Sequence, residues 1–458
     1  MQAGRAVNEE HGNRKAGFFA PLPRRLIWIL VLAFLLRLTL LIPALAHPER
    51  ALAPDSESYF AYARAILQGQ GWDYPGAMRT PVYPVFLALG SLVFGEQPAP
   101  FVALQILIGV GVVFLTFLLG RGLFDQDTGL LAAILLAVSA ESITHSFYLL
   151  SESLFTLFLL LSTWMLWRGL NRPGWIPPLL AGSFLGLGIL TRPMAAYFPF
   201  LVFLVLFLDK TSLPGRIRKA ALFLAGIVLI VLPWIIRNGT VVGIPTVSTI
   251  SQYNLLYYNA ASLEAGRNDR LESDVRNELS DRLDQMLADR GLPETEANLA
   301  RAEGDLAREI ILADPIRYAW VHLKSDLNNF LPDTDLLEIW GLTMDQRGTL
   351  DVLKQQGLLA AVRHYFGGSP WMIGLLVPVI FILGLVYLGW AAGSIRVVLT
   401  RQVYPFLFLN LPIAYFMLLP GSPSNPRFRV PVMPYFCLMA AFGLLFLWRQ
   451  IKLKGKRP

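Results

Sequence analysis

Apolar runs of near-spanning length alternate with short polar breaks through residue 236 and again from residue 371, with one long polar stretch between. The runs lie near 25–46, 99–122, 127–147, 148–168, 175–191, 194–208, 219–236, 371–391, 403–420 and 431–448. Most approach or exceed the roughly 17–25 residues that cross a bilayer as a helix. The pattern predicts an all-α polytopic membrane protein with about ten spans. Within 127–168 the polar break from Ala140 to His145 predicts a short outer loop or a bent helix end. A further apolar segment, 81–95, has 15 residues and falls below spanning length.

Charge decides how that short segment is read. If 81–95 does not cross, then Arg121, Arg168 with Arg172, the cluster from Lys210 to Lys219, Arg396 with Arg401 and the basic tail from Lys452 to Arg457 all fall on the cytoplasmic side. If it crosses, most of them face outward, against the positive-inside rule. The segment is therefore expected as a half-embedded helix on the outer face, with both termini cytoplasmic. Ala44-Leu45-Ala46 resembles a signal-peptidase site, but the run before it is long and contains Arg37, so a retained first span is expected. Arg37 is expected to be buried mid-span with an acidic partner.

Composition agrees with this class. Hydrophobic residues make up 55% of the 458-residue chain and charged residues 16%, against about 25% charged in soluble domains. Mean hydropathy is +0.51. The net charge of +7 lies largely in short loops and the tail, and does not point to nucleic acid. One cysteine, Cys437, excludes a disulfide within the chain and a cysteine metal site. The expected organisation is a cytoplasmic tail over 1–24, an N-terminal transmembrane catalytic module over 25–236 that includes an outer loop 47–98, an outer-face helical segment over 237–370, and a C-terminal transmembrane module over 371–458. Residues 1–20 are expected to be disordered. In the polar segment, Leu271, Val275, Leu279, Leu283 and Leu287 recur at helical spacing, and Trp320, Phe330, Trp340 and Phe366 are candidates for interface contact.

The stretch from Asp55 to Pro84 concentrates carboxylates, aromatics and arginines where the chain leaves the first span. Tyr59, Ala63, Ile66 and Leu67 share a helical face, expected to lie in lipid, and Gln68 to Gly71 end the helix. Trp72, Tyr74 and Tyr83 favour the headgroup level. Asp55, after Pro54 and before the helix, suits an N-cap or a general base aimed into a cavity. Glu57 and Asp73 read as solvated. Glu152 opens a long apolar run, where a carboxylate costs about 2.5–3.5 kcal/mol at the bilayer midplane unless it is paired or wet. It reads as functional or as an interfacial helix-start charge, with Glu141 as a competitor. Arg79, Arg192, Arg237, Arg427 and Arg429 fall on the expected outer side, against the charge rule. Each either snorkels to headgroups or donates to a phosphate.

In order along the chain, these motifs resemble the GT-C glycosyltransferases, in particular bacterial members of the protein mannosyltransferase and aminoarabinose transferase superfamily. The resemblance is carried by Asp55-Ser56 with Tyr59, Ala63 and Arg64, by Gly69 and Gly71, by Arg79 to Pro84, Ser151-Glu152, Leu190 to Pro193, Pro233 to Asn238 and Arg427 to Pro431. It implies a GT-C-like bundle with helices along the membrane in the first outer loop. It also implies an inverting glycosyltransferase of a bacterial inner membrane. Such an enzyme takes a hexose or pentose from a polyprenyl-phosphate carrier to a lipid, glycan or protein acceptor at the outer face. Asp55 then matches the family's first-loop acid, a base or acceptor positioner, Glu152 the second acidic position, and Arg79 a donor-phosphate residue. Tyr59, Tyr83, Arg192, Arg237, Arg427 and Arg429 complete the expected substrate-binding set. The family resemblance allows a divalent metal. Two departures count against one: Ser56 follows Asp55 where some members have an acidic pair, and Met78 rather than a carboxylate precedes Arg79. A transporter or flippase, or a ligase moving a glycan from a diphosphate carrier, is the alternative class. The transporter predicts inverted repeats, and the sequence has none that stands out.

Overall fold

The computed structural model describes residues 21–342 apart from 75 and 209–210, isolated positions between 352 and 364, and residues 371–454. The expected disordered stretch 1–20, Lys210, Phe366 and the tail residues Lys456 and Arg457 lie outside the described residues. All regular elements described are helical. The first half runs α1 (Arg24–Leu38, prolonged by a short helix Leu41–Ala46), α2 (Ser56–Leu67), α3 (Val82–Phe94), α4 (Pro98–Leu123), α5 (Gln126–Ala137), α6 (Ala140–Thr144), α7 (Glu152–Asn171), α8 (Ile176–Ile189), α9 (Phe198–Phe207) and α10 (Leu213–Arg237). The polar segment carries α11 (Ala261–Asn268), α12 (Glu272–Asp289), α13 (Glu296–Ala313), α14 (Pro315–Asp326) and α15 (Asp335–Ile339). The chain then continues through α16 (Met372–Leu399), α17 (Val403–Leu418) and α18 (Met433–Lys454).

Six helices among the described residues are long and apolar enough to cross a bilayer. Four of the ten expected spans are shorter apolar helices: α5, α8, α9 with the turn before it, and α17. The region 127–168 shows why. Ser139 accepts a hydrogen bond from the Ser142 amide at 3.4 Å, which caps α6 and separates it from α5. The expected 148–168 span begins only at Glu152. The short segment 81–95 is helix α3, 13 residues long. At 1.5 Å per residue that is about 20 Å, against about 30 Å of hydrocarbon.

The bundle closes through α18, which is buried from Met433 to Ala441. Its Tyr435 hydroxyl lies 2.7 Å from the Thr163 hydroxyl on α7. Glycines set the closest helix contacts. A Cβ on Gly182 of α8 would lie 1.9 Å from the Phe223 carbonyl oxygen of α10, and one on Gly226 of α10 would lie 2.2 Å from the Leu179 oxygen of α8. Where lipid offers no hydrophobic drive between helices, close backbone approach supplies the packing.

Two expectations about faces need correction. Tyr59 and Ala63 of α2 do not face lipid. Both are buried in protein, and the Tyr59 ring packs edge-on against Tyr83 of α3 with centroids 4.9 Å apart. In the polar segment, Val275, Leu279, Leu283 and Leu287 form the buried stripe of α12 against Ala302, Leu306 and Ile310 of α13. Leu271 precedes the helix and is exposed. Arg37 is fully buried, but no ion pair of it is found among the described residues. It donates to the Ser142 hydroxyl at 2.7 Å and to the carbonyls of Ala33 and Ala137, each at 3.2 Å. A hydroxyl and two carbonyls therefore replace the expected acidic partner.

The glycine contacts predict that Gly226→Ala, whose new methyl meets backbone rather than a movable side chain, loses about 1–3 kcal/mol by overpacking. A lowered unfolding midpoint in detergent checks this. Gly111→Ala is the control, because its Cβ would meet nothing within 4 Å.

Candidate active site

The site grows from two helix starts. Asp55 precedes α2 with backbone angles already helical (φ −73°, ψ −21°), and its side chain makes no capping bond. The capping reading is thereby corrected. Its carboxylate instead accepts from Arg79 Nη2 at 2.6 Å on one oxygen and from Arg427 Nη1 at 3.1 Å on the other. Ser58, one turn on, accepts from Arg79 Nε at 2.9 Å and donates to the Asp55 carbonyl at 2.7 Å. The Arg79 guanidinium also lies 4.9 Å from the centre of the Tyr59 ring. Arg79 is thus oriented from three sides.

Glu152, the first residue of α7, is fully buried. One carboxylate oxygen accepts from both Arg192 Nη1 and Arg427 Nε. Pairing with two guanidiniums offsets the desolvation that would otherwise make a buried carboxylate costly. Arg427 is the shared member, touching Asp55 and Glu152 at once. Three arginines face two carboxylates here, leaving one net positive charge.

Asp55, Tyr59, Arg79, Arg192 and Arg427 line one cavity of about 850 Å³. That is near the upper end of ligand pockets. Ser151, Tyr258, Asn259, Tyr318 and His322 also line it. Three of the expected substrate-binding residues are not brought to it. Tyr83 is buried behind Tyr59, with its hydroxyl donating to Gln105 at 3.2 Å. Arg237 is buried and donates to the carbonyls of Trp72 at 2.7 Å, Gly76 at 3.0 Å and Tyr74, so it ties down the loop before Arg79. Arg429 is buried against Glu141 and donates to the carbonyls of Asn329 at 2.7 Å and Leu331 at 2.8 Å. None of these five arginines snorkels: each is held by carboxylates or carbonyls. Glu57 pairs with Arg64 at the surface.

Burial alone would raise the Asp55 pKa, but Arg79 and Arg427 outweigh it and hold the carboxyl below its ordinary value of 3.8. Asp55 is therefore ionised in the resting site. The two carboxylates are each occupied by guanidiniums, and no cluster of three His, Cys, Asp or Glu side chains occurs among the described residues. This donor set does not fit a divalent ion.

Sequence reasoning missed Ser58 and Ser151 as supports of the arginines, and Tyr318 and His322 on α14. The signal for the last two was available: Tyr318, His322 and Asp326 are four residues apart on one helical face.

A pH dependence follows from the depressed Asp55 pKa. Its contribution to stability is fully present above the unfolded pKa near 3.8 and is lost as pH falls through the lower folded value. Asp55→Asn should flatten the acid limb of an unfolding-midpoint profile below about pH 4, while wild type keeps its slope there.

Residues 78–236 match the family model described as dolichyl-phosphate-mannose-protein mannosyltransferase. The undecaprenyl phosphate-α-4-amino-4-deoxy-L-arabinose arabinosyl transferase of Pseudomonas aeruginosa (strain UCBPP-PA14) is 30% identical over 227 residues, covering 46% of this chain and 40% of that protein. The chain spans less than half the length of the curated relatives it matches. Among solved structures, the Archaeoglobus fulgidus oligosaccharyltransferase in its apo form superposes with a TM-score of 0.52 at 17% identity, over 94% of this chain and 51% of that one. The same organism's oligosaccharyltransferase AglB, solved with an inhibitory peptide and a dolichol-phosphate, gives a TM-score of 0.50 at 14% identity, over 94% of this chain and 52% of that one. The chain is an integral membrane protein with the GT-C glycosyltransferase fold, and its sequence similarity lies with the protein mannosyltransferase and aminoarabinose transferase superfamily.

Proposed function

We propose that this protein is an inverting glycosyltransferase that moves a sugar from a polyprenyl-phosphate carrier to a hydroxyl acceptor at the outer face of the membrane. The observation that carries the reading is the convergence of Arg79, Arg192 and Arg427 on Asp55 and Glu152 at the wall of one large cavity. A glycosyl phosphate needs that arrangement. As the acceptor oxygen bonds to the anomeric carbon, the carbon–oxygen bond to phosphate breaks and its electron pair moves onto the phosphate. Guanidiniums stabilise the charge that develops there, so the leaving group needs no proton. The proton of the acceptor hydroxyl goes to Asp55. Named relatives support the donor class: the arabinosyl transferase carries undecaprenyl phosphate in its name.

The free site keeps Asp55 a poor base, because Arg79 and Arg427 hold it. A bound phosphate competes for the same two guanidiniums. As they turn toward it, the proton affinity of Asp55 rises. Glu152 keeps hold of Arg192 and of Arg427 Nε, so that, of the Arg427 contacts, only that of Nη1 to Asp55 is exchanged for phosphate. Arg237 and Arg429 act at a distance, by holding the loops that carry Arg79 and Arg427.

Transfer of labelled sugar from a synthetic polyprenyl phosphate, by purified protein, tests the reading. Asp55→Asn is expected to fold, to bind donor and to lose about 10²–10⁴-fold in turnover. Arg79→Ala and Arg192→Ala are expected to weaken donor use about ten- to a hundred-fold, the worth of a charge-assisted hydrogen bond. Near-normal turnover in Asp55→Asn, or unchanged donor affinity in both arginine variants, removes the assignment.

Orientation has its own measurement. If α3 stays on the outer side, a reporter fused at Arg121 reads cytoplasmic and one at Arg270 reads external. A cytoplasmic signal at Arg270 puts the cavity on the wrong side for an outer-face reaction.

A further inference from the structure

Away from the arginines, the same cavity is bordered by a second polar arrangement. Tyr318 and His322 of α14 line it, and Asp326 lies one turn further along the same face, almost wholly buried. His322 Nε2 is 2.9 Å from the Leu418 carbonyl oxygen and 3.3 Å from Asp326 Oδ2. Both neighbours are acceptors, so the ring proton belongs on Nε2 and Nδ1 is left as an acceptor. The Tyr318 hydroxyl lies 3.0 Å from Nδ1 and 3.5 Å from Asn259 Oδ1. The shorter contact takes its proton. Hydrogen bonds therefore run one way, from Tyr318 to His322 to the Leu418 carbonyl, with the Asp326 carboxylate beside the Nε2 proton. With its proton committed, the Tyr318 oxygen offers lone pairs alone to the cavity.

The loop after α17 builds this arrangement and ties it to the arginine cluster. Asp326 Oδ1 accepts from the Gly421 amide at 2.9 Å and the Ser424 hydroxyl at 2.8 Å. Gly421 has φ +68°, and a Cβ there would lie 2.4 Å from Asn259 Oδ1 and 2.5 Å from His322 Nδ1. A glycine is required for the backbone to close on those atoms. The same loop touches His322 at Leu418 and Asp55 at Arg427. The charged side chains lining the cavity, Asp55, Arg79, Arg192 and Arg427, all belong to the arginine cluster. Around Tyr318 the lining consists of rings, hydroxyls and amides, among them Tyr253, Tyr258, Ser251 and Asn254.

We propose that Tyr318, His322 and Asp326 form the acceptor subsite of the transferase proposed above, and that its ligand is a neutral sugar. One sugar hydroxyl donates to the Tyr318 oxygen, and the tyrosine rings cover apolar faces of the sugar ring. His322 is a positioning residue that fixes which way the Tyr318 proton points, and Asp326 holds the Gly421 and Ser424 loop against it. Among the described residues lining the cavity, the arginines that an anionic acceptor would need lie at the donor end.

The test uses the full chain in nanodiscs, with methyl glycosides of a neutral hexose and a neutral pentose as probes. Binding is read by saturation-transfer NMR, and undecaprenyl phosphate binding is read in parallel. Wild type is expected to bind at least one glycoside. Tyr318→Phe is expected to weaken it about two- to ten-fold, the range of one neutral hydrogen bond, with undecaprenyl phosphate unaffected. His322→Gln serves the same purpose if Tyr318→Phe is not recovered folded. Glycoside binding that is absent in wild type or equal in these variants, or binding of a serine peptide that Tyr318→Phe weakens in its place, overturns the subsite. Failure of the transferase reading is seen separately, as undecaprenyl phosphate binding that survives in Arg79→Ala and Arg192→Ala.

Discussion

One guanidinium joins two carboxylates that the chain introduces almost a hundred residues apart. Arg427 reaches Asp55 before α2 and Glu152 at the head of α7. It shares in offsetting the desolvation of both, of Glu152, which is fully buried, and of Asp55, which is partly so. The Arg427 loop in turn owes its position to contacts with α14 and to the packing of α18 in the middle of the bundle. Removing Arg427 would therefore leave Glu152 on Arg192 alone and Asp55 on Arg79 alone, at the place where first-half and last-half elements meet.

The helices explain why the cluster faces a cavity rather than lipid. Glycine contacts draw α8 tightly against α10, and α10 delivers Arg237 to the carbonyls of the loop from Trp72 to Gly76. That loop leads into Arg79. Arg429 does the corresponding work beside Arg427, held by Glu141 and by carbonyls of Asn329 and Leu331. Two buried arginines thus spend most of their hydrogen bonds on backbone, while Arg79, next to the loop that Arg237 holds, and Arg427, two residues before Arg429, present charge to the carboxylates at the cavity. A guanidinium suits both uses, because its fork of five donors can satisfy several carbonyls or grip an oxyanion.

The sequence made the class of the protein and the suspect residues legible, but not their division of labour. Arginines expected on the outer side stand out because they violate a charge rule, and Arg79, Arg192, Arg237, Arg427 and Arg429 all do so equally. What separates Arg237 from Arg79 is which carbonyls the folded loop offers, and no local pattern encodes that. The same limit applies to α2. Its spacing announces a buried face, and a buried face in a membrane protein reads as lipid-facing until the partner helix α3 is seen against it. That four of the expected spans are shorter apolar helices escaped notice for a different reason. Hydropathy counts apolar residues, while hydrogen-bonding residues such as Ser139 decide where a helix stops. His322 and Asp326 were legible in principle, because a spacing of four puts them on one face.

Under the proposed reaction, sharing arginines between base and leaving group is a control as well as an economy. A carboxylate of full basicity beside a glycosyl phosphate would activate water as readily as an acceptor. In the resting site Asp55 is bound at both oxygens and its proton affinity is depressed. It gains basicity only as Arg79 and Arg427 turn to an incoming phosphate, when the donor is already seated. Even then, a nucleophile must be held in line with the anomeric carbon for that basicity to matter. A sugar anchored at Tyr318 meets that condition, and a free water does not. Discrimination against hydrolysis thus follows from two separate requirements at opposite ends of one loop: charge redistribution at Arg427, and a hydrogen-bond direction fixed where Leu418 and Gly421 meet His322 and Asp326.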